Sequence, residues 1–193
     1  MSFDILRHVE KWLGPMGPAQ HKVHDSRVLT ARFPNKPVAG VDTQVTLGLS
    51  NQELTQASGR GIRQELVVSA RSSYDPGKVA SFLVTLAEWV SRRKRALQRG
   101  EVIGPQGPVI PGVKANAVYV AQPAHLPPEL SVYQEDGWTV VIAWVLPIVA
   151  IEAAFVRSHG WRAFEERLET IDAELWDLDR APLVDRRRSH IDA

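Results

Sequence analysis

The chain has 193 residues, with 23 Lys and Arg against 22 Asp and Glu, a formal charge of +1 and 44% apolar residues. That is about one domain's length at an ordinary globular composition, which excludes a disordered chain, a collagen and a coiled coil. Zero cysteines exclude a disulfide scaffold, Cys-ligated zinc, an iron–sulfur cluster and a thiol nucleophile, and the near-neutral charge gives no overall pull towards nucleic acid or anionic lipid.

Met1 to Leu13 carries Asp4, Arg7, His8, Glu10 and Lys11, which is not a signal-peptide pattern. Its Phe3, Ile5, Leu6, Val9 and Leu13 predict a short helix that stops at Gly14-Pro15. Residues 14–37 are interrupted by Pro15, Pro18, Pro34 and Pro37 and read as irregular chain with one short strand, Val28 to Phe33. From Val41 the period becomes two. Val41, Thr43, Val45, Leu47 and Leu49 alternate with Asp42, Gln44, Thr46, Gly48 and Ser50, the pattern of a half-buried strand. A polar connection, Asn51 to Gly61, leads to a second alternation in which Arg63, Glu65, Val67 and Ser69 oppose Ile62, Gln64, Leu66, Val68 and Ala70. The two predict an antiparallel hairpin.

Asp75 and Pro76 open the clearest helix. Val79, Phe82, Leu83, Leu86 and Val90 form its apolar stripe, and Gly100 suits its end. At about 1.5 Å per residue it would run roughly 35 Å. Glu101 to Lys114 is turn-rich, and Ala117 to Ala121 reads as a strand. Trp138 to Leu146 is a nearly unbroken apolar strand, which predicts burial on both faces and a central position, with Pro147 ending it. A helix from about Val149 to Ser158 stops at His159-Gly160, and a second runs from Trp161 to about Ala173. Leu175 to Pro182 is extended. Arg186-Arg187-Arg188 begins a basic tail expected to be disordered. The longest apolar run, Trp138 to Ile151, is shorter than the ~20 residues a bilayer span needs, so a soluble, cytoplasmic protein is expected. The fold class is α+β: a mixed, mainly antiparallel sheet with helices packed on it. Its expected parts are an N-terminal helix and irregular segment (1–37), the domain proper (38–182) and the tail (183–193).

No convergent catalytic set, metal site or cofactor loop emerges. His21 and His24, with Asp25, offer ligands at a spacing that reaches one metal only from a helix or a suitable turn. Gly48-Leu49-Ser50 has part of a nucleophile elbow but lacks the second glycine and the strand-to-helix setting. A hydrolase using Ser50 or the His21/His24 pair is therefore an alternative reading. Arg92-Arg93-Lys94-Arg95 with Arg99 is the densest charge cluster. It suits a helix C-terminus, and a nucleic-acid adaptor acting through Arg92 to Arg99 is the other alternative. Glu165, Glu166, Glu169, Asp172 and Glu174 read as a solvated helix face. Trp89, Trp138, Trp144 and Trp161 belong to apolar patterns and read as core or core edge, while Trp12 and Trp176, near the ends, read as packing the termini onto the domain, with interface anchors as the alternative.

One ordered set of motifs resembles a known family. Thr46-Leu47-Gly48-Leu49-Ser50, Arg63-Gln64-Glu65-Leu66-Val67-Val68-Ser69, Trp144-Val145-Leu146-Pro147-Ile148 with Glu152, His159-Gly160-Trp161-Arg162-Ala163-Phe164-Glu165 and Asp177-Leu178-Asp179-Arg180 with Pro182 resemble the suppressor-of-fused domain family, in order, from about residue 38 to 182. Val149-Ala150-Ile151 departs from the pattern, which is more polar there. The resemblance implies a suppressor-of-fused-like single domain that binds protein, is not an enzyme and needs no cofactor. For a bacterial stand-alone member it implies an immunity protein that neutralises a partner toxin. Gly48, Ser50, Pro147, Glu152, Gly160 and Arg180 would be its structural motif residues. Glu65 and Arg180 could pair as ions. The expected partner is a protein, a cognate toxin, with no nucleic acid and no membrane. The expected interface is the outward strand face, Asp42, Gln44, Thr46, Arg63 and Glu65.

Overall fold

A computed structural model gives the architecture and describes residues 3–18, 27–135, 137–170 and 174–184. In chain order the elements are α1 (Phe3–Leu13), β1 (Leu29–Phe33), β2 (Val41–Leu47), β3 (Leu54–Thr55), β4 (Gly61–Arg71), α2 (Pro76–Arg93), β5 (Val102–Ile103), β6 (Ala117–Ala121), β7 (Val132–Glu135), β8 (Trp138–Ile148) and α3 (Ala150–Thr170). Two 3-10 turns lie at Leu49–Asn51 and Pro128–Ser131. No helix among the described residues is long and apolar enough to cross a membrane.

The strands form one sheet in the order β1-β2-β4-β8-β6-β5, with β3 added to β4 and β7 to β8. The expected hairpin is present, β2 antiparallel to β4 with Val45 opposite Val67, and the short β3 fills part of its connection. β8 lies inside the sheet, as its apolar run predicts. β4 pairs with it in parallel, Arg63 to Val67 against Val140 to Trp144. β7 takes residues 138–141 and β6 takes 144–148. Pro147 does not end β8. It stands opposite Val118, past the residues that β4 pairs, an edge-like setting that tolerates a missing donor.

Side-chain alternation divides the interior into two cores. Val67, Ile142, Trp144, Leu146 and Tyr119 meet Ile5, Val9 and Leu13 of α1 and Ala153, Val156 and Phe164 of α3. Leu66, Val68, Val118, Val120 and Val145 meet Val79, Leu83, Leu86, Ala87 and Val90 of α2. The sheet is thus covered on both faces, which corrects the half-buried reading of β2: all seven of its residues are buried.

α2 begins as its cap predicts, with the Asp75 carboxylate accepting from the Gly77 and Lys78 amides. It ends earlier than expected, at Arg93, where Lys94 turns left-handed at φ 52°, so its 18 residues span about 27 Å. The chain then runs extended. Arg95 bridges Thr55, and the Gln64 side chain holds the Leu97 backbone at both N–H and C=O, 2.9 and 3.0 Å. Those bonds replace the helical continuation and put Ala96 and Leu97 into the core.

In α3 the break expected at Gly160 is a kink, with Gly160 at φ 82° and ψ 161°, a conformation essentially restricted to glycine. Residues 174–184 form a strap. Arg71 N donates to Trp176 O and Ala115 N to Leu178 O. Tyr74 Oη donates to Asp177 at 2.6 Å and the Lys114 N–H to Asp179 at 2.7 Å. Leu178 enters the α2-side core, while Leu183 enters the opposite one, with Trp176 packed against it. Leu183 and Val184, the first residues of the segment expected to be a tail, are buried. Arg186 to Arg188 lie outside the described residues.

Candidate functional site

The residues expected to face a partner are largely inside. Asp42, Gln44, Thr46 and Glu65 are all buried, and only Arg63 is partly exposed. This corrects the sequence expectation for the strand face, and each side chain supplies its reason through a local polar bond. Gln44 Nε2 donates to Pro76 O at the start of α2. Asp42 is held by the Arg32 guanidinium, the Ser72 hydroxyl and the Asn35 amide. Burial pushes the Asp42 carboxyl up, and those hydrogen bonds, Ser72 and Arg32 foremost, bring it below the usual carboxylate range.

Glu65 is the centre of the first motif. Its carboxylate accepts from Thr46 Oγ1 and Ser50 Oγ, each at 2.6 Å, and from the Gly48 and Ser50 amides at 2.9 and 3.0 Å. Thr46 Oγ1 in turn accepts from the Leu66 amide, so its hydroxyl substitutes for a ladder bond where β2 parts from β4. Gly48 makes the turn at φ 111°, and a Cβ there would lie 2.9 Å from Arg27 O. Burial raises the Glu65 carboxyl above its ordinary range, against the pull of the Ser50 and Thr46 hydroxyls. Ser50 thus anchors a turn, and among the described residues its hydrogen-bond partners include no histidine.

The second buried carboxylate, Glu152, opens α3. It accepts from Arg180 Nη1 at 2.6 Å and Nη2 at 3.2 Å, and from the Val149 and Leu183 amides. Arg180 thus pairs with Glu152, whereas Glu65 bonds hydroxyls and amides. Both motif carboxylates hold the fold.

A serine–histidine contact that sequence reasoning missed joins Ser69 Oγ and His125 Nε2 at 3.1 Å, with Thr43 Oγ1 2.7 Å from Ser69. The His125 ring lies against Trp144 and Trp176, centroids 4.3 and 4.7 Å away, and burial lowers its pKa to about 3. Ser69 is buried, and His125 Nδ1 is buried without a partner, so the pair lacks both access and the acid that would orient a base. The only signal in the sequence was Ser69's place in the second motif.

His21 and His24 lie outside the described residues, and among the described ones no group of three or more His, Asp or Glu could hold a metal. The basic run divides. Arg99 pairs with Glu165, which also accepts from Tyr119 Oη at 2.9 Å. Arg92, Arg93, Lys94 and Arg95 are exposed at the end of α2, and the Arg93 guanidinium lies 4.4 Å from the Trp89 ring centre. Beside them is a groove of about 320 Å³, between α2 and the segment after β5. Trp138 is not core. It is 46% exposed, with the Arg63 guanidinium stacked 3.6 Å from its ring centre.

The comparisons with known proteins agree on one family. The family model for suppressor of fused protein (SUFU) matches residues 24–181. No curated protein matches this chain in sequence. In structure it is similar to a protein of Neisseria gonorrhoeae FA 1090 described as a suppressor-of-fused homologue, with a TM-score of 0.74 at 16% identity over 96% of this chain and 97% of that one. A chain of the Sufu–Fu complex gives 0.71 at 12% identity, over 94% and 91%. Drosophila Suppressor of Fused gives 0.68 at 14%, over 93% of this chain and 50% of that one. These likenesses are of fold, and with more than half its length matched by the family model this chain belongs to the suppressor-of-fused family.

Proposed function

We propose that this chain is a non-catalytic protein-binding domain of suppressor-of-fused type, and that it serves in the cytoplasm as an immunity protein that neutralises a partner toxin. The observation that carries the binding role is the likeness, over 94% of this chain, to a chain solved in the Sufu–Fu complex. The polar chemistry supports it, because the motif residues Ser50, Glu65, Glu152 and Arg180 are engaged in bonds internal to the fold. The immunity role follows from the resemblance to bacterial stand-alone members. Binding of this kind works through exterior shape and charge, which steer encounter and set specificity.

The test is co-expression with the product of the neighbouring gene. Expression of that product alone should arrest growth, and this chain should restore it and co-purify with the product. Arrest that persists despite a co-purifying complex would remove the immunity role and leave the binding role. Absence of any complex with that partner would count against both.

A further inference from the structure

The strongest unassigned feature is the corner where α2 ends. Arg92, Arg93, Lys94 and Arg95 are all exposed there, and among the described residues none of them has an ion-pair partner. A helix C-terminus offsets about half an elementary charge, so most of this positive charge is uncompensated. The Arg93 guanidinium lies over the Trp89 ring, a contact that restrains this exposed side chain. The adjoining groove is walled by Phe82, Leu86, Trp89, Ile103 and Val109, with Arg92 at its rim. Asn116 also lines it, and its Oδ1 is buried without a hydrogen-bond partner.

We propose, building on the protein-binding reading above, that this corner docks an acidic protein segment, its carboxylates on Arg92 to Arg95 and one aromatic side chain in the groove. An apolar pocket rimmed by charge is the anatomy of a protein hot spot. A nucleic acid fits less well, since a phosphate backbone needs a continued basic track. Here the track is cut by α3, where Glu165 binds Arg99 and Glu169 adds its field.

The probe is a fluorescein-labelled peptide of Asp and Glu around a single Trp, with its Asn/Gln counterpart and an oligothymidylate of equal length as comparators. At about 50 mM salt, where surface charges are weakly screened, the acidic peptide should bind saturably and the neutral one should not. The triple variant Arg92→Glu, Arg93→Glu, Arg95→Glu should weaken it by about tenfold or more. Lys78→Glu, an exposed charge reversal at the other end of α2, should leave it unchanged. Thr85→Trp, which fills the groove from an exposed position, should weaken the peptide and spare any oligothymidylate binding. Circular dichroism checks that each variant folds. No saturable peptide binding, equal binding by the triple variant, or an oligothymidylate that binds more tightly and is indifferent to Thr85→Trp would each overturn the proposal. If the neighbour-encoded partner still binds the triple variant normally, this docking corner is wrong and the protein-binding reading stands.

Discussion

At the scale of single residues, the polar side chains inside this protein are joints, and His125 is the one whose charge state matters most. It is neutral at neutral pH, hydrogen-bonded to Ser69 and packed against two tryptophans. Its folded pKa of about 3 lies below the ~6.5 of an unfolded histidine, so the unfolded chain binds a proton over that window and the native one does not. The His125 contribution is therefore complete above pH ~6.5 and is lost as the pH falls towards 3. The loss is at most about 1.4 kcal/mol per pH unit. Urea denaturation of the wild type and His125→Gln between pH 7.5 and 4.5 should show curves that converge on acidification, the variant having no such dependence. Parallel pH profiles would refute this role.

At the scale of elements, the junction of β8, α3 and the strap hangs on one ion pair. Arg180→Ala would leave the Glu152 carboxylate, at 0% exposure, without its cation, and should cost about 3–5 kcal/mol in chemical denaturation. Replacing both, as Glu152→Leu with Arg180→Met, should cost far less, because no buried charge is then orphaned. The elements also show what a single sequence reveals. α1, β6 and the Gly160 break were legible from local periodicity and glycine chemistry. The end of α2 was not, because Val90 and Leu97 continue a helical spacing. Remote partners, the Thr55 backbone and the Gln64 side chain, make the extended path better. Likewise the alternation of β2 marked two unlike faces correctly. That the polar face is also buried depends on partners from α2 and β4, such as Pro76 O and Glu65. β7 escaped notice because Val132–Glu135 is short and carries exposed positions.

For the molecule as a whole, the two cores share one sheet and are locked together by residues 174–184, which place Leu178 on one side and Leu183 on the other. A chain ending at residue 173 should lose the near-ultraviolet circular dichroism of its packed aromatics and its cooperative thermal transition, since Arg71, Tyr74, Lys114 and Glu152 lose their partners at once. Retention of a sharp melt would show the strap to be dispensable. The candidate binding surface was only half legible. The basic run was plain in the sequence, but the groove beside it arises from α2, β5 and β6 coming together.

The parallel pairing of β4 with β8 has a consequence for synthesis. Residues 63–67 find their neighbours at 140–144, with a helix and three strands in between, so the middle of the sheet closes only once β8, far along the chain, has been made. Such distant pairing folds slowly. Until that closure one edge of β4 stays open in the growing chain, which exposes it to wrong pairing.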